Sequence, residues 1–228
     1  KAILNKIDTR TKNKILKRYA LLLDKEKNSI ISANQKDIKF AKKKGLKNNL
    51  IDRLTIDHKK LVGIKKSIEK IVKIKDPVDY ILEKWRRPNG LTISRVSVPI
   101  GVLGIIYESR PNVTSDVASL CFKSGNAVIL KGGSEAINTN KILASLFRKS
   151  LKENKVDQNF IQFINSKDRK IVDYMLSKMK DYIDVIIPRG GKSLVKRVQE
   201  SSTIPIIGHL EGLCHTYIDK DADFKKAI

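Results

Sequence analysis

Residues 96–135, VSVPIGVLGIIYESRPNVTSDVASLCFKSGNAVILKGGSE, decide the fold. Two short apolar runs, at 102–106 and 127–130, flank a helix-length segment that has an apolar face. Apolar runs of this length, rich in β-branched residues, are typical of strands buried on both faces of a parallel sheet. The stretch therefore predicts a β-α-β unit, with Thr114 and Ser115 as caps of its helix.

Polar residues follow each predicted strand of this unit. The loop YESRPN (107–112) follows the first strand, and Lys131-Gly132-Gly133-Ser134 follows the second. A second Gly-Gly turn, Arg189-Gly190-Gly191-Lys192-Ser193, follows an apolar run at 182–187 and precedes another helical pattern. Ligands of open α/β sheets bind outside the carboxyl ends of the strands, so these loops are the candidate site.

The two Gly-Gly turns share a pattern that suits a phosphate. Glycine lets backbone N–H groups approach the anion, and the following helix N-terminus and a neighbouring Lys or Arg favour its charge. Neither turn matches G-x-G-x-x-G or the P-loop pattern. One such turn is also what a tight strand-to-helix connection looks like, but two in one sheet favour a dinucleotide site. Its predicted residues are Lys131, Gly132, Gly133, Ser134, Arg189, Gly190 and Gly191.

The chain divides into three predicted parts. Residues 1–75 have helical periodicity, 76–98 predict a hairpin turning at Asn89-Gly90, and 99–228 alternate strands and helices. The expected architecture is α/β, with an open, mostly parallel Rossmann-like sheet covered by helices on both faces. Further strands are predicted at 156–164, 204–207 and 214–218. The hairpin is either an oligomerisation device or an edge strand.

Composition narrows the function classes. The net charge is +23 over 228 residues, but the lysines, including Lys42–Lys44, are spread along the chain with few aromatics between them. This favours solvated helix faces, with nucleic-acid binding as the alternative. No apolar run approaches a membrane span, no signal peptide is visible, and two distant cysteines indicate a reducing, cytoplasmic compartment.

Few residues are candidates for catalysis. The Asn112 side-chain amide could donate to an oxyanion or could be a turn or capping residue. Arg110 could bind a carboxylate or phosphate, or pair with Glu108. Neighbours on a strand point to opposite faces, so Cys214 and His215 make a poor nucleophile–base pair. Cys121 is expected in the core.

The segments YESRPNVTSDVASLCFKSGNAVILKGGSEA, IPRGG and STIPIIGHLEGLCHTYIDKDAD resemble the gamma-glutamyl phosphate reductase (glutamate-5-semialdehyde dehydrogenase) branch of the aldehyde dehydrogenase superfamily. The resemblance implies NADPH-dependent reduction of L-glutamyl 5-phosphate, a small-molecule acyl phosphate of proline biosynthesis. In that reaction a cysteine displaces phosphate to form a thioester, and hydride transfer then releases the semialdehyde. A homo-oligomer and glutamate 5-kinase are the implied partners.

The resemblance also assigns roles to residues. Asn112 matches the superfamily's oxyanion donor, and Lys131 matches a lysine that contacts the adenosine ribose of the cofactor. Ser134 stands where NAD-preferring relatives carry Glu, and the missing carboxylate would spare the 2′-phosphate of NADP. Gly190 and Gly191 match the loop near the pyrophosphate.

Two departures from the superfamily pattern affect activity. Counting back from Asp221-Ala222-Asp223 places His209, rather than Glu211, on the general-base position. The same count places Cys214 on a structural strand and the nucleophilic cysteine beyond Ile228. We therefore expect the catalytic domain to be absent from this chain and the 228-residue chain to be inactive. The alternative is a basic nucleotide- or RNA-binding module without catalysis.

Overall fold

The structure, a computed structural model, describes residues 7–168, 170–210, 212 and 214–227. Its helices are α1 (Thr9–Lys25), α2 (Lys27–Lys43), α3 (Asn48–Leu54), α4 (His58–Lys73), α5 (Asn112–Lys123), α6 (Ile137–Glu153), α7 (Lys170–Lys178), α8 (Lys192–Ser201) and α9 (Phe224–Ala227). Its strands are β1 (Ile81–Arg86), β2 (Thr92–Val96), β3 (Val102–Tyr107), β4 (Ala127–Lys131), β5 (Ile161–Phe163) and β6 (Val185–Arg189).

A parallel sheet with the order β5-β4-β3-β6 forms the centre of the fold. The chain runs outward from β3 to β4 and β5, then returns to place β6 on the other side of β3. The strand order therefore reverses between β3 and β6, which is where open α/β sheets bind ligands. A bridge from Ile186 to Ile206 extends the sheet past β6. The predicted β-α-β unit and α/β architecture are confirmed.

Helices cover both faces of this sheet. The larger core joins one face to α1, α4, α5 and α6, and within it the Phe147 ring contacts the ring of Tyr19 at a tilt and that of Phe122 edge to face. A smaller core joins the other face to α7 and α8 around Met175 and Val198. The amino-terminal helices thus share one core with the strands that carry the candidate site.

Thr114 and Ser115 do not cap α5, contrary to the sequence-based expectation. The helix begins earlier, at Asn112, so both residues lie inside it and are buried. Their hydroxyls instead contact buried phenols: Thr114 Oγ1 lies 2.6 Å from Tyr107 Oη, and Ser115 Oγ lies 2.6 Å from Tyr19 Oη. Buried polar groups need such partners, and this requirement outweighed capping.

A buried carboxylate fastens α2 to the start of α6. Asp37, only 1% exposed, accepts hydrogen bonds from the backbone N–H and side chain of both Asn138 and Thr139, at 2.6–3.2 Å. The backbone N–H groups of Asn138 and Thr139 belong to the first turn of α6, where N–H groups have no acceptor within the helix. Asn34 continues the network, donating to Leu54 O and Thr139 Oγ1.

The strands β1 and β2 form an antiparallel hairpin of their own, separate from the parallel sheet. The chain turns at Arg87–Gly90, where Gly90 has φ of 87°, as the Asn-Gly signal predicts. The edge-strand alternative is therefore wrong. The hairpin residues are mostly exposed, with Leu82 56% and Trp85 39% exposed.

The predicted strand at 214–218 is also wrong. Residues 214–219 have no regular structure, and Tyr217 is 84% exposed. Strands require a hydrogen-bonding neighbour, and no strand of the described residues pairs with this segment.

Candidate functional site

The loops after β3, β4 and β6 meet at the carboxyl edge of the sheet. The Glu108 N–H donates to Arg189 O across 3.2 Å, which joins the loop after β3 to the end of β6. A cavity of about 340 Å³ opens at this edge, within the roughly 300–1,000 Å³ of small-molecule sites. Its lining includes Glu108, Ser109, Lys131, Gly132, Gly133, Ser134, Glu135, Lys167, Ser193, Leu194 and Arg197.

Two of the predicted glycines lie close to neighbouring side chains, and neither has a positive φ. A Cβ on Gly132 would lie 2.3 Å from Asn140 Nδ2 and 3.0 Å from the Tyr107 ring. A Cβ on Gly190 would lie 2.6 Å from Glu108 Cδ. Gly191 directly precedes α8 and is its N-cap, so its loop leads into a helix N-terminus, which favours negative charge.

Lys131 ends β4 with its side chain buried, 6% exposed as a residue. Its Nζ donates to Gly132 O at 2.9 Å. Burial lowers the pKa of this ammonium, while the negative charges of Glu135 and Asp168 work in the opposite direction. An ammonium has three N–H donors, and this bond uses one, so Lys131 retains capacity for a ligand.

Glu135 brings a carboxylate into the same cavity. Its Oε1 accepts from Ser134 Oγ at 2.8 Å and its Oε2 from Ser109 Oγ at 3.2 Å. Burial raises the pKa of this carboxyl, but the serine hydrogen bonds and the Lys44 charge outweigh burial, and the net pKa is lowered. The carboxylate absent at position 134 is therefore supplied by the next residue, which weakens the argument for NADP from its absence.

Three basic side chains that the sequence did not predict here lie in or beside this cavity. Lys44 Nζ lies 3.8 Å from Glu135 Oε1, and Lys44 and Lys167 both lie over the Phe40 ring, 4.7 and 4.4 Å from its centroid. Arg197 lines the cavity and pairs with Asp173 at 2.8 Å. Lys44 is exposed, as expected, but it also belongs to the rim of this site, which the run of three lysines did not reveal.

Asn112 and Arg110 lie outside this nucleotide-sized cavity, in a second one of about 570 Å³ between α3, α4 and the start of α5. Asn112 is the first residue of α5, so it is not the helix cap. Its Nδ2 donates to Asp116 Oδ2 at 3.2 Å. Arg110 is exposed and, within the described residues, forms no ion pair with Glu108.

Neither cysteine joins these cavities. Burial in α5 raises the pKa of the Cys121 thiol to about 12, which confirms it as a core residue. Cys214 is an exposed free thiol, and His209 lies on an exposed loop. Glu211 lies outside the described residues. Among the residues that the structure describes, no cluster of His, Cys, Asp or Glu could hold a metal ion, and no helix is long and apolar enough to cross a membrane.

The fold and the cavity at the carboxyl edge of the sheet are those of an α/β protein with a ligand site, and comparison with known proteins identifies the family. Residues 2–228 match the model of the aldehyde dehydrogenase family, and the chain belongs to that family of nicotinamide-dependent oxidoreductases.

The relatives define the branch of this family that the chain is similar to. The chain is 46% identical to gamma-glutamyl phosphate reductase of Persephonella marina, over 99% of this chain and 50% of the relative. It is 47% identical to the Nitratiruptor protein of the same name, over 99% of this chain and 54% of the relative. The chain thus spans about half the length of the curated relatives it matches.

A solved structure supports the same branch. The crystal structure of gamma-glutamyl phosphate reductase from Thermotoga maritima matches with a TM-score of 0.92 at 41% identity, covering 99% of this chain and 54% of that one.

Proposed function

We propose that this chain supplies the cofactor-binding half of a gamma-glutamyl phosphate reductase, which reduces L-glutamyl 5-phosphate to glutamate 5-semialdehyde with NADPH. The observation that carries this proposal is the cavity lined by Lys131, Gly132 and Gly133 beside the point of strand reversal, in a chain with close relatives of that name. The nucleophilic cysteine would lie outside this chain, and the 228-residue chain alone would be inactive.

The residues present fit a dinucleotide. Gly132 lines the cavity and lies against Asn140 without room for a Cβ, and the buried Asn140 Nδ2 has no hydrogen-bond partner among the described residues. Lys131 has N–H donors left for ribose hydroxyls, and Gly190, Gly191 and the start of α8 would hold the pyrophosphate. When bound, NADPH supplies the hydride. Asn112, with one amide N–H not used within the described residues, would orient the acyl oxygen.

The preference for NADPH over NADH rests on the basic rim. Lys167 and Arg197 line the same cavity as Glu135, and Lys44 offsets part of the Glu135 charge. A 2′-phosphate placed there would meet Lys44 and Lys167 against the Glu135 carboxylate, together with Arg197, whose charge Asp173 already pairs, and this balance favours the phosphorylated cofactor. Arg189, at the end of β6, would add a further positive charge to the pyrophosphate side.

Titration with NADPH and NADH tests the proposal on the full-length gene product. Lys131→Ala should weaken NADPH binding about 10- to 100-fold, since hydrogen bonds to charged groups contribute about 1.5–3 kcal/mol. Lys141→Ala, an exposed lysine of α6, is the control. Unchanged NADPH affinity in a folded Lys131→Ala variant would overturn the site. RNA affinity that falls steeply with salt would favour the RNA-binding alternative instead.

The proposed inactivity of the 228-residue chain has its own assay, the reduction of NADP with semialdehyde and phosphate. Turnover that Cys214→Ala abolishes would show that the nucleophile lies within the chain.

Association and location follow as further proposals. The exposed apolar side chains of the β1–β2 hairpin suit self-association, since a contiguous exposed apolar surface marks an interaction site. The two free thiols suit a cytoplasmic protein. Association with glutamate 5-kinase stays a prediction.

A further inference from the structure

The lining of the second cavity includes the carboxylate of Asp116, whose hydrogen bonds are incomplete within the described residues. Asp116 Oδ2 accepts from Asn112, but Asp116 Oδ1 is buried and has no hydrogen-bond partner among the described residues. Ser67 lies on the same wall of the cavity. Burial raises the pKa of Asp116, and Asn112 and Ser67 only partly oppose it. A cationic ligand would satisfy this oxygen, because a buried charge is stable only when it is paired.

The same cavity is also lined by positively charged side chains. Arg53 and Arg110 line it and are exposed, and neither forms an ion pair within the described ranges. Lys60 differs, since its Nζ donates to the backbone carbonyls of Asp52 and Thr55 at the end of α3. Guanidinium groups bind carboxylates in bidentate geometry. The cavity therefore presents an unsatisfied carboxylate and two available guanidiniums.

We propose that this cavity binds the zwitterionic head of an amino-acid substrate, with Asp116 holding the α-ammonium and Arg53 and Arg110 holding the α-carboxylate. This inference rests on the proposed function, because it gives the binding site for the end of L-glutamyl 5-phosphate that is remote from the reacting acyl group. Asn112 touches Asp116 and keeps one amide N–H for the acyl oxygen.

The dimensions agree with this placement. The binding groups of Asn112 and Asp116 lie together, with Nδ2 3.2 Å from Oδ2. Hydrogen bonds of about 3 Å from each group extend the distance that one ligand can bridge. The extended chain from a γ-acyl carbon to the α-nitrogen has four bonds and spans about 5 Å. One substrate can therefore reach both side chains.

Binding of three probes to the full-length gene product, by calorimetry or ligand-observed NMR, tests the site without turnover. The probes are L-glutamate, glutarate, which lacks the amino group, and 4-aminobutyrate, which lacks the α-carboxylate. The unmodified protein should bind L-glutamate more tightly than either analogue. Asp116→Asn should weaken L-glutamate about 10- to 100-fold and abolish its advantage over glutarate. Arg110→Gln should abolish the advantage over 4-aminobutyrate.

Two controls keep the result decisive. Asp52→Asn removes another acidic group from the cavity wall and should leave all three affinities unchanged. NADPH affinity and circular dichroism establish that each variant is folded, and if Asp116→Asn fails to fold, Arg110→Gln and Arg53→Gln carry the test. A folded Asp116→Asn variant with the full preference for L-glutamate over glutarate would overturn the inference.

The proposed function and this inference fail separately. If the protein reduces glutamyl phosphate but the variants discriminate among the three probes as the unmodified protein does, only the amino-acid site is refuted. If the probes are discriminated as expected but the protein does not reduce the acyl phosphate, only the proposed reductase activity is refuted.

Discussion

Removal of the Asp37 carboxylate should destabilise the protein because four hydrogen bonds end on it. Asp37→Ala leaves the N–H groups of the exposed Asn138 and the buried Thr139 without this acceptor. An orphaned donor costs about 1–3 kcal/mol, and part of the loss is recovered by water at the exposed Asn138. We therefore expect the free energy of unfolding to fall by about 3–5 kcal/mol. Asp37→Asn should cost less, because its amide retains one oxygen acceptor.

Urea denaturation followed by circular dichroism measures this loss, with the dependence on urea concentration checked for constancy. The matched control is Asp24→Ala on α1, whose carboxylate is exposed and pairs only with Lys65 among the described residues. Exposed ion pairs contribute little, so the control should remain close to the unmodified protein. A loss smaller than about 1 kcal/mol in Asp37→Ala would refute the view that this carboxylate fastens α6.

Three further outcomes are expected. Gly132→Ala should weaken NADPH binding and reduce stability by about 1–3 kcal/mol, because the new methyl group collides with the Asn140 amide. Leu82→Lys should shift the full-length protein toward smaller species in sedimentation, because it places a charge in the apolar surface of the hairpin. Maleimide should label Cys214 quickly and Cys121 hardly at all between pH 7 and 10, since burial keeps the Cys121 thiol protonated up to about pH 12.

Each outcome has a result that contradicts it. Tight NADPH binding by the Gly132 variant would mean that the close packing of Gly132 on Asn140 is unimportant for the cofactor. Sedimentation unchanged by Leu82→Lys, or changed equally by Leu21→Lys on α1, would remove the hairpin as an association surface. Labelling of Cys121 in the folded protein at the rate of Cys214 would contradict its burial.

The sequence predicted what local signals encode. Apolar runs and flanking glycines predicted β3, α5 and β4, and Asn-Gly predicted the hairpin turn. The Lys131-Gly132-Gly133 turn also lies at the expected edge of the sheet, because the carboxyl end of a parallel strand determines where its loop opens. Local pattern therefore predicted the position of the loops that line this cavity, and its role as a nucleotide site stays a prediction.

Contacts between residues that are far apart in the sequence could not be predicted from local patterns. Asp37 and Thr139 are 102 positions apart, and Lys44, Lys167 and Arg197 reach one cavity from three separate elements. Asn112 was predicted at the site. It lies instead in a second cavity, apart from the Gly-Gly turns, and this cavity depends on the packing of α3 and α4, which no local pattern predicted. The 214–218 segment has a strand-like composition, yet a strand also depends on a neighbour that composition does not report.

The central position of β3 affects the order in which the protein can fold during synthesis. One edge of β3 pairs with β4, which follows after about 20 residues, but the other edge waits for β6, roughly 80 residues later. At about 5–20 residues per second on the ribosome, that edge stays open for several seconds. An open, apolar strand edge can pair with another nascent chain. Chaperone dependence should therefore be greatest for ribosome-bound chains that end between β4 and β6.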